Sequence, residues 1–181
     1  MKVFAIEPMD GSFRFEPFVP NVRNKGMDLY QELRDVTEAF LDADIDYAVC
    51  GGMAVAIHGY PRFTKDLDFL VLEDDMPRIR TAVKNLGYTL PAGPIPFGVG
   101  TDATRRIYRI SKVIGSDVFT LDFLIVSAQW SEAWETRRDY ELEDGAVLTV
   151  VSREGLLHMK RLAGRLQDQL DLQNLEKQDE R

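Results

Sequence analysis

From Met27 to Leu41 the apolar residues Leu29, Leu33, Val36 and Phe40 recur at spacings of four, three and four. That one-sided stripe predicts an amphipathic helix. "DYAVC" is then a short continuous apolar run closed by Gly51-Gly52, which predicts a buried strand ending in a tight turn. "MAVAIHGY" predicts a short helix that stops near Gly59-Tyr60-Pro61. "DLDFLVL" predicts a strand, and "DDMPRIRTAVKNLG" a helix with Pro77 in its first turn and Gly87 at its end. Residues Pro91 to Asp102 are rich in Pro and Gly and predict a loop. "TRRIYRIS" and "DVFTLDFLIV" predict two strands joined by a turn at Ile114-Gly115-Ser116. "SAQWSEAWETRR" predicts a short helix, "DYELEDGAVLTVVS" two strands around Asp144-Gly145, and the chain from Ser152 onward is helical in pattern. At the start, "VFAI" and "FRFEPFV" flank Asp10-Gly11, a pair suited to a hairpin turn.

This order predicts an α/β (α+β) fold, a mixed sheet flanked by helices. Residues 1–151 form the expected core with an N-terminal extension, and 152–181 a helical segment packed on it. With 181 residues the chain is long enough for a substantial core. A net charge of -8 gives no global signature of nucleic-acid binding, although a local basic face remains compatible with it. The single cysteine, Cys50, ends an apolar run, so no internal disulfide forms and an inert core thiol is expected. The opening "MKVFAIE" has too short an apolar run for a signal peptide. No run approaches the roughly 20 apolar residues of a membrane span. The expected setting is the cytoplasm, with no membrane partner.

The chemistry begins at "DLDFLV". In a strand, residues i and i+2 share a face, so Asp66 and Asp68 point together while Leu67 and Phe69 point away. Two close carboxylates raise each other's pKa and call for a positive partner. A hard divalent cation, Mg²⁺ or Mn²⁺, suits carboxylate oxygens. Asp122, in "TLDFLIV", is another acid inside an apolar strand pattern. On a neighbouring strand it completes a three-carboxylate site. Each acid alone is more simply a solvated strand-end residue; the three together favour a metal site. Gly51-Gly52 adds a turn at a helix start, where free N–H groups suit a phosphate. Thirteen residues separate Gly52 from Asp66, enough for a short helix and a loop that return the acids beside the glycines.

This arrangement resembles the nucleotidyltransferase superfamily typified by DNA polymerase β. The resemblance rests on Gly51, Gly52, Asp66, Asp68 and Asp122. "GGMAVAIHGYPRFTKDLDFLV" is similar to the Gly-Gly…His-Gly…Arg-x-Thr-x-Asp-apolar-Asp block of nucleotidyltransferase-like toxins from abortive-infection type toxin–antitoxin modules. "LLHMKRLAGRLQDQLDLQNL" is similar to their C-terminal block, with Lys160, Gly164-Arg165, Asp168 and Asp171. The resemblance implies transfer of a nucleoside monophosphate from an NTP to an acceptor hydroxyl, RNA or tRNA in such toxins, and an antitoxin partner. It implies metal binding by Asp66, Asp68 and Asp122, phosphate cradling by Gly51 and Gly52, and proton removal by Asp122.

Around the acids, Arg62 and Lys65 are candidates for the triphosphate or for pairing with the acidic cluster. Thr64 offers a hydroxyl where Gly52 replaces the Ser of many relatives. Lys160 is either a triphosphate ligand or a stem that snorkels from a core-facing helix. Arg165 and Asp168 either position it or form an ion pair, and Asp171 is expected to be structural. His58 and His158 lack partners at zinc-ligand spacing. Arg105 and Arg109 are expected on one strand face and Arg106 on the other; Trp130 and Trp134 are expected in the core. Transfer to a small molecule or a protein side chain, or nucleotide binding without catalysis, are the competing functions.

Overall fold

The computed structural model describes residues 28–96, 106–142 and 145–177. The expected hairpin at Asp10-Gly11 lies outside them, as do Arg105 and the tip at Asp144. The elements are α1 (Leu29–Asp42), β1 (Tyr47–Cys50), α2 (Gly51–Ile57), β2 (Asp66–Val71), α3 (Met76–Asn85), β3 (Leu90–Pro96), β4 (Arg106–Ile114), β5 (Asp117–Ile125), α4 (Ser131–Glu135), β6 (Arg138–Glu141), β7 (Val147–Val150), α5 (Arg153–Ala163) and α6 (Leu166–Glu176). Among the described residues the strands form one seven-stranded sheet in the order β3-β4-β5-β2-β1-β7-β6. It is mixed: β2 runs antiparallel to β1 and parallel to β5, and β1 runs parallel to β7.

The predicted stripe makes α1. Asp28 caps it, accepting from the N–H groups of Tyr30 and Gln31 at 3.1 and 3.2 Å, which satisfies two otherwise orphaned donors. Leu33, Val36 and Phe40 are buried. The Phe40 ring meets the edge of Phe69, with centroids 5.3 Å apart, and Phe69 stacks on Phe123 at 5.9 Å. Alternation along β2 then sends Asp66 and Asp68 to the opposite face, beside α5. Under α1, Lys112 of β4 is buried against Glu32, Nζ to Oε2 2.6 Å, and also donates to the Leu86 carbonyl.

One stretch departs from the sequence reading. Residues 91–96, expected in a loop, belong to β3, which pairs antiparallel with β4. The strand lies at the end of the sheet, so its prolines need supply no second row of N–H donors. The register shifts between Ala92 and Ile95, an irregularity that accommodates the Gly-Pro step. The hairpin of β4 and β5 and the turn at Gly115-Ser116 are as expected.

Candidate active site

The sheet register assembles the acids. Asp68 lies opposite Cys50 of β1 on one side and Asp122 of β5 on the other. β2 and β5 are parallel and in step, so Asp66, Asp68 and Asp122 share one face of the sheet. Burial, then the charges of Asp122 and Asp66, push the Asp68 carboxyl up to about 6; Lys160 and Arg165 oppose the rise. Asp66 is also raised, by burial first and then by Asp122. Among the described residues neither carboxylate receives a hydrogen bond or forms an ion pair. Asp122 differs. Arg109, its partner across the β4–β5 hairpin, donates Nε to Oδ1 at 2.8 Å and a terminal nitrogen to Oδ2 at 2.7 Å.

The two glycines sit inside the first turn of α2 rather than in a turn before it. Gly51 has φ +59°, and a Cβ there would lie 1.9 Å from Asp68 Oδ2. The Asp68 carboxylate therefore rests directly on the bare backbone where β1 becomes α2. A Cβ on Gly52 would lie 2.7 Å from Thr64 Oγ1 and 3.2 Å from a terminal nitrogen of Arg62. The loop 58–65 thus folds its Thr64 hydroxyl into the space that a side chain at position 52 would fill. Thr64 Oγ1 also donates to the Asp66 carbonyl at 3.4 Å. Lys65 is exposed, its Nζ 6.0 Å from the centroid of the Phe63 ring.

Lys160 is 3% exposed and does not snorkel. Its Nζ lies 2.6 Å from Asp171 Oδ2 and 3.1 Å from Asp168 Oδ1. Arg62 donates to Asp171 Oδ2 at 3.0 Å, and Arg165 donates Nε to Asp168 Oδ2 at 2.7 Å. Burial alone would raise both acids. Arg165 and Lys160 outweigh it at Asp168, and Lys160 and Arg62 at Asp171, so both carboxyls lie below the usual range. This network ties the loop before the acids to α5 and α6. Asp68, Asp122, Lys160, Arg165 and Asp168 line one cleft, whose apolar wall includes Trp130, Leu156 and Met159.

The other singled-out residues make contacts of their own. His58 Nε2 donates to the Val151 carbonyl at 2.9 Å, and burial lowers its pKa. His158 Nε2 donates to the Gln129 carbonyl at 3.1 Å. Trp130 is buried, whereas Trp134 is only partly so, with the Arg137 guanidinium 3.9 Å from its ring centroid. Cys50 is buried and its thiol pKa is raised by that burial, as an inert thiol requires. The residue that the sequence reading missed is Arg109. Its signal was present: a turn at Gly115-Ser116 pairs Ile114 with Asp117, and counting back along both strands brings Arg109 opposite Asp122.

The donor set can be weighed against a divalent cation. Among the described residues, no three His, Cys, Asp or Glu side chains are placed together as ligands. Asp122 has both oxygens engaged by Arg109. Asp66 and Asp68 fit: both are partly buried, lack a donor among the described residues and are raised in pKa. Hard oxygens in a field that nearby cations only partly offset suit Mg²⁺ or Mn²⁺.

No protein-family model and no curated protein sequence matches the chain. Its structure is similar to that of a Thermotoga maritima protein described as a candidate nucleotidyltransferase, with TM-score 0.54 and 15% identity over 84% of this chain and 93% of the other. It is also similar to the lincosamide antibiotic adenylyltransferase LnuA in its lincomycin-bound structure, with TM-score 0.53 and 13% identity over 84% of this chain and 98% of the other. At these identities the likeness concerns the fold, and the chain has the nucleotidyltransferase fold.

Proposed function

We propose that the protein is a metal-dependent nucleotidyltransferase that moves a nucleoside monophosphate from an NTP to an acceptor hydroxyl. The observation that carries this is the pair of carboxylates, Asp66 and Asp68, without an ion-pair partner among the described residues, with Asp68 held over Gly51 at the start of α2 and Asp122 in register beside it. Asp66 and Asp68 hold Mg²⁺ or Mn²⁺, with Asp122 as the third ligand once it is free of Arg109. The cation supplies charge neutralisation at the triphosphate. The backbone of Gly51 and Gly52 receives the phosphates, supported by Arg62, Thr64, Lys65 and Lys160. Asp122 accepts the proton of the attacking hydroxyl as the bond from acceptor oxygen to Pα forms, and the bond from Pα to pyrophosphate breaks. The site provides position and charge, and no covalent intermediate is needed.

The resemblance to abortive-infection toxins supports RNA or tRNA as acceptor, with an antitoxin as partner. A second reading, a small hydroxylated acceptor, is favoured by the charge around the cleft. Arg62, Lys160, Arg165 and Arg109 are each matched by Asp171, Asp168 or Asp122, which among the described residues lining the cleft leaves little unmatched positive charge for a polyanion. The test is turnover of labelled NTPs with Mg²⁺ or Mn²⁺ against tRNA, protein and small-molecule acceptors. Metal-dependent release of pyrophosphate that Asp68→Asn abolishes is the expected result. No turnover, together with no melting shift from any Mg²⁺-NTP, would sink the reading. At one hundred times Kd a ligand adds about 2.7 kcal/mol.

A further inference from the structure

Among the described residues Asp122 is the one acid of the three whose charge is answered, and it is answered from the solvent side; Arg165 grips Asp168 in a similar way, but there the buried Lys160 is a second holder. Asp168 and Asp171 are held by Lys160, whose side chain is 4% exposed. Glu32 is held by Lys112, at 10%. Those cations have nowhere else to go without leaving a charge buried. Arg109 is 40% exposed while Asp122 is 8% exposed. Its guanidinium grips both oxygens of the acid from the solvent side, and it loses little by turning into water. Among the described residues its side chain hydrogen-bonds to Asp122 alone. On the same sheet face, Asp66 and Asp68 have no such partner among the described residues.

We propose that Arg109 is a positioning residue that latches Asp122 in the metal-free protein and releases it when a divalent cation loads onto Asp66 and Asp68. The latch has two consequences. It keeps the third carboxylate from adding its charge to an already crowded pair, and it withholds Asp122 from the cation until Arg109 lets go. A cation on Asp66 and Asp68 also repels the guanidinium, so loading and release favour one another. The inference rests on the nucleotidyl-transfer reading only in assigning a cation to Asp66 and Asp68.

The experiment is Mn²⁺ binding to the full chain without NTP, by electron paramagnetic resonance or calorimetry. Five proteins are compared: wild type, Arg109→Gln, Arg109→Lys, Asp122→Asn and the Arg109→Gln/Asp122→Asn double variant. Arg109→Gln should bind Mn²⁺ about fivefold or more tightly, because Asp122 is freed and the coupling between contacting residues is of that order. Arg109→Lys keeps the charge without the two-pronged grip and should gain about two- to threefold. In the Asp122→Asn background, removing Arg109 should change affinity by less than about twofold. Equal affinity in Arg109→Gln and wild type overturns the latch. So does an equal gain with and without Asp122, which would make Arg109 a general positive charge near the pair. If Arg109→Gln fails to fold, the lysine variant decides, and unchanged affinity there overturns the proposal. Absence of Mn²⁺ binding in every variant does so as well. Wild-type NTP turnover, measured separately, tells failure of the latch from failure of the transferase reading.

Discussion

A Cβ at position 51 would lie 1.9 Å from Asp68 Oδ2, on a backbone with φ +59°. An L-residue there meets a left-handed penalty of about 1–2 kcal/mol as well as a collision with the acid the site depends on. Gly51→Ala should therefore lower stability by on the order of 2 kcal/mol or more and displace Asp68. Thermal melting and Mn²⁺ binding read the two effects. Asp68 itself carries a cost in the metal-free protein. Its folded-state pKa, raised to about 6 by burial and by Asp122 and Asp66, stands above the unfolded value of 3.8. The native state then holds the proton more tightly than the unfolded chain. Stability contributed by this group is present below pH 3.8 and is lost as pH rises toward 6. Asp68→Asn removes the loss while keeping the shape. In chelator the variant should melt higher than wild type at pH 7, by on the order of 2 kcal/mol, with the difference fading toward pH 4. A wild type at least as stable as Asp68→Asn at pH 7 would mean that the charge is already compensated. With Mg²⁺-NTP the order should invert, since only the wild type gains from the ligand.

At the scale of elements, α5 and α6 are joined to the site by buried charge. Lys160 from α5 answers Asp168 and Asp171 from α6, and Arg62 reaches Asp171 from the loop before β2. Lys160→Met removes the buried cation shared by two carboxylates, leaving Arg165 and Arg62 as their partners, and should cost somewhat less than the about 3–5 kcal/mol of a fully uncompensated buried charge, with earlier proteolysis of the C-terminal helices. Both acids have lowered folded-state pKa values, so the stability they contribute is present at neutral pH and lost as pH falls below the ordinary carboxylate range. The penalty of Lys160→Met should accordingly shrink in acid. An undiminished penalty near pH 3 would assign it to packing instead. The network also marks how far the sequence could be read. Periodicity located α1, α3 and the β4–β5 hairpin because each has one apolar face. It passed over β3, where Pro and Gly erase the alternation and only an edge position makes them tolerable. It placed Lys160 on a core-facing helix but left its end open, because partners eight and eleven residues away depend on how α6 folds back. Arg109 was visible as a strand residue, yet its meaning came from the register that sets it across from Asp122.

For the whole molecule, order of elements and placement of acids were legible because both follow from local pattern: strand, glycine pair, helix, strand with alternating acids, and a later strand that must lie beside it. The acceptor was not legible, because it depends on the field of the assembled surface. The net charge is -8, and the cations nearest the acids are tied to carboxylates. Among the described residues near the acids, a polyanionic acceptor would draw on Lys65 and on the pairs it could break, and its binding would release counterions. With about three phosphate contacts to a single strand, affinity would fall roughly 20-fold between about 50 and 200 mM salt. A small neutral acceptor displaces no counterion atmosphere. At saturating NTP, the acceptor KM should therefore change by less than about twofold over that range. A loss of an order of magnitude would instead establish RNA as the acceptor, and among the described residues Arg62 or Arg165 would be the arginine to leave its carboxylate for a phosphate. Repeating the titration with Arg165→Gln separates the cases: a reduced salt slope identifies that arginine as a phosphate contact, and an unchanged slope leaves it as the partner of Asp168.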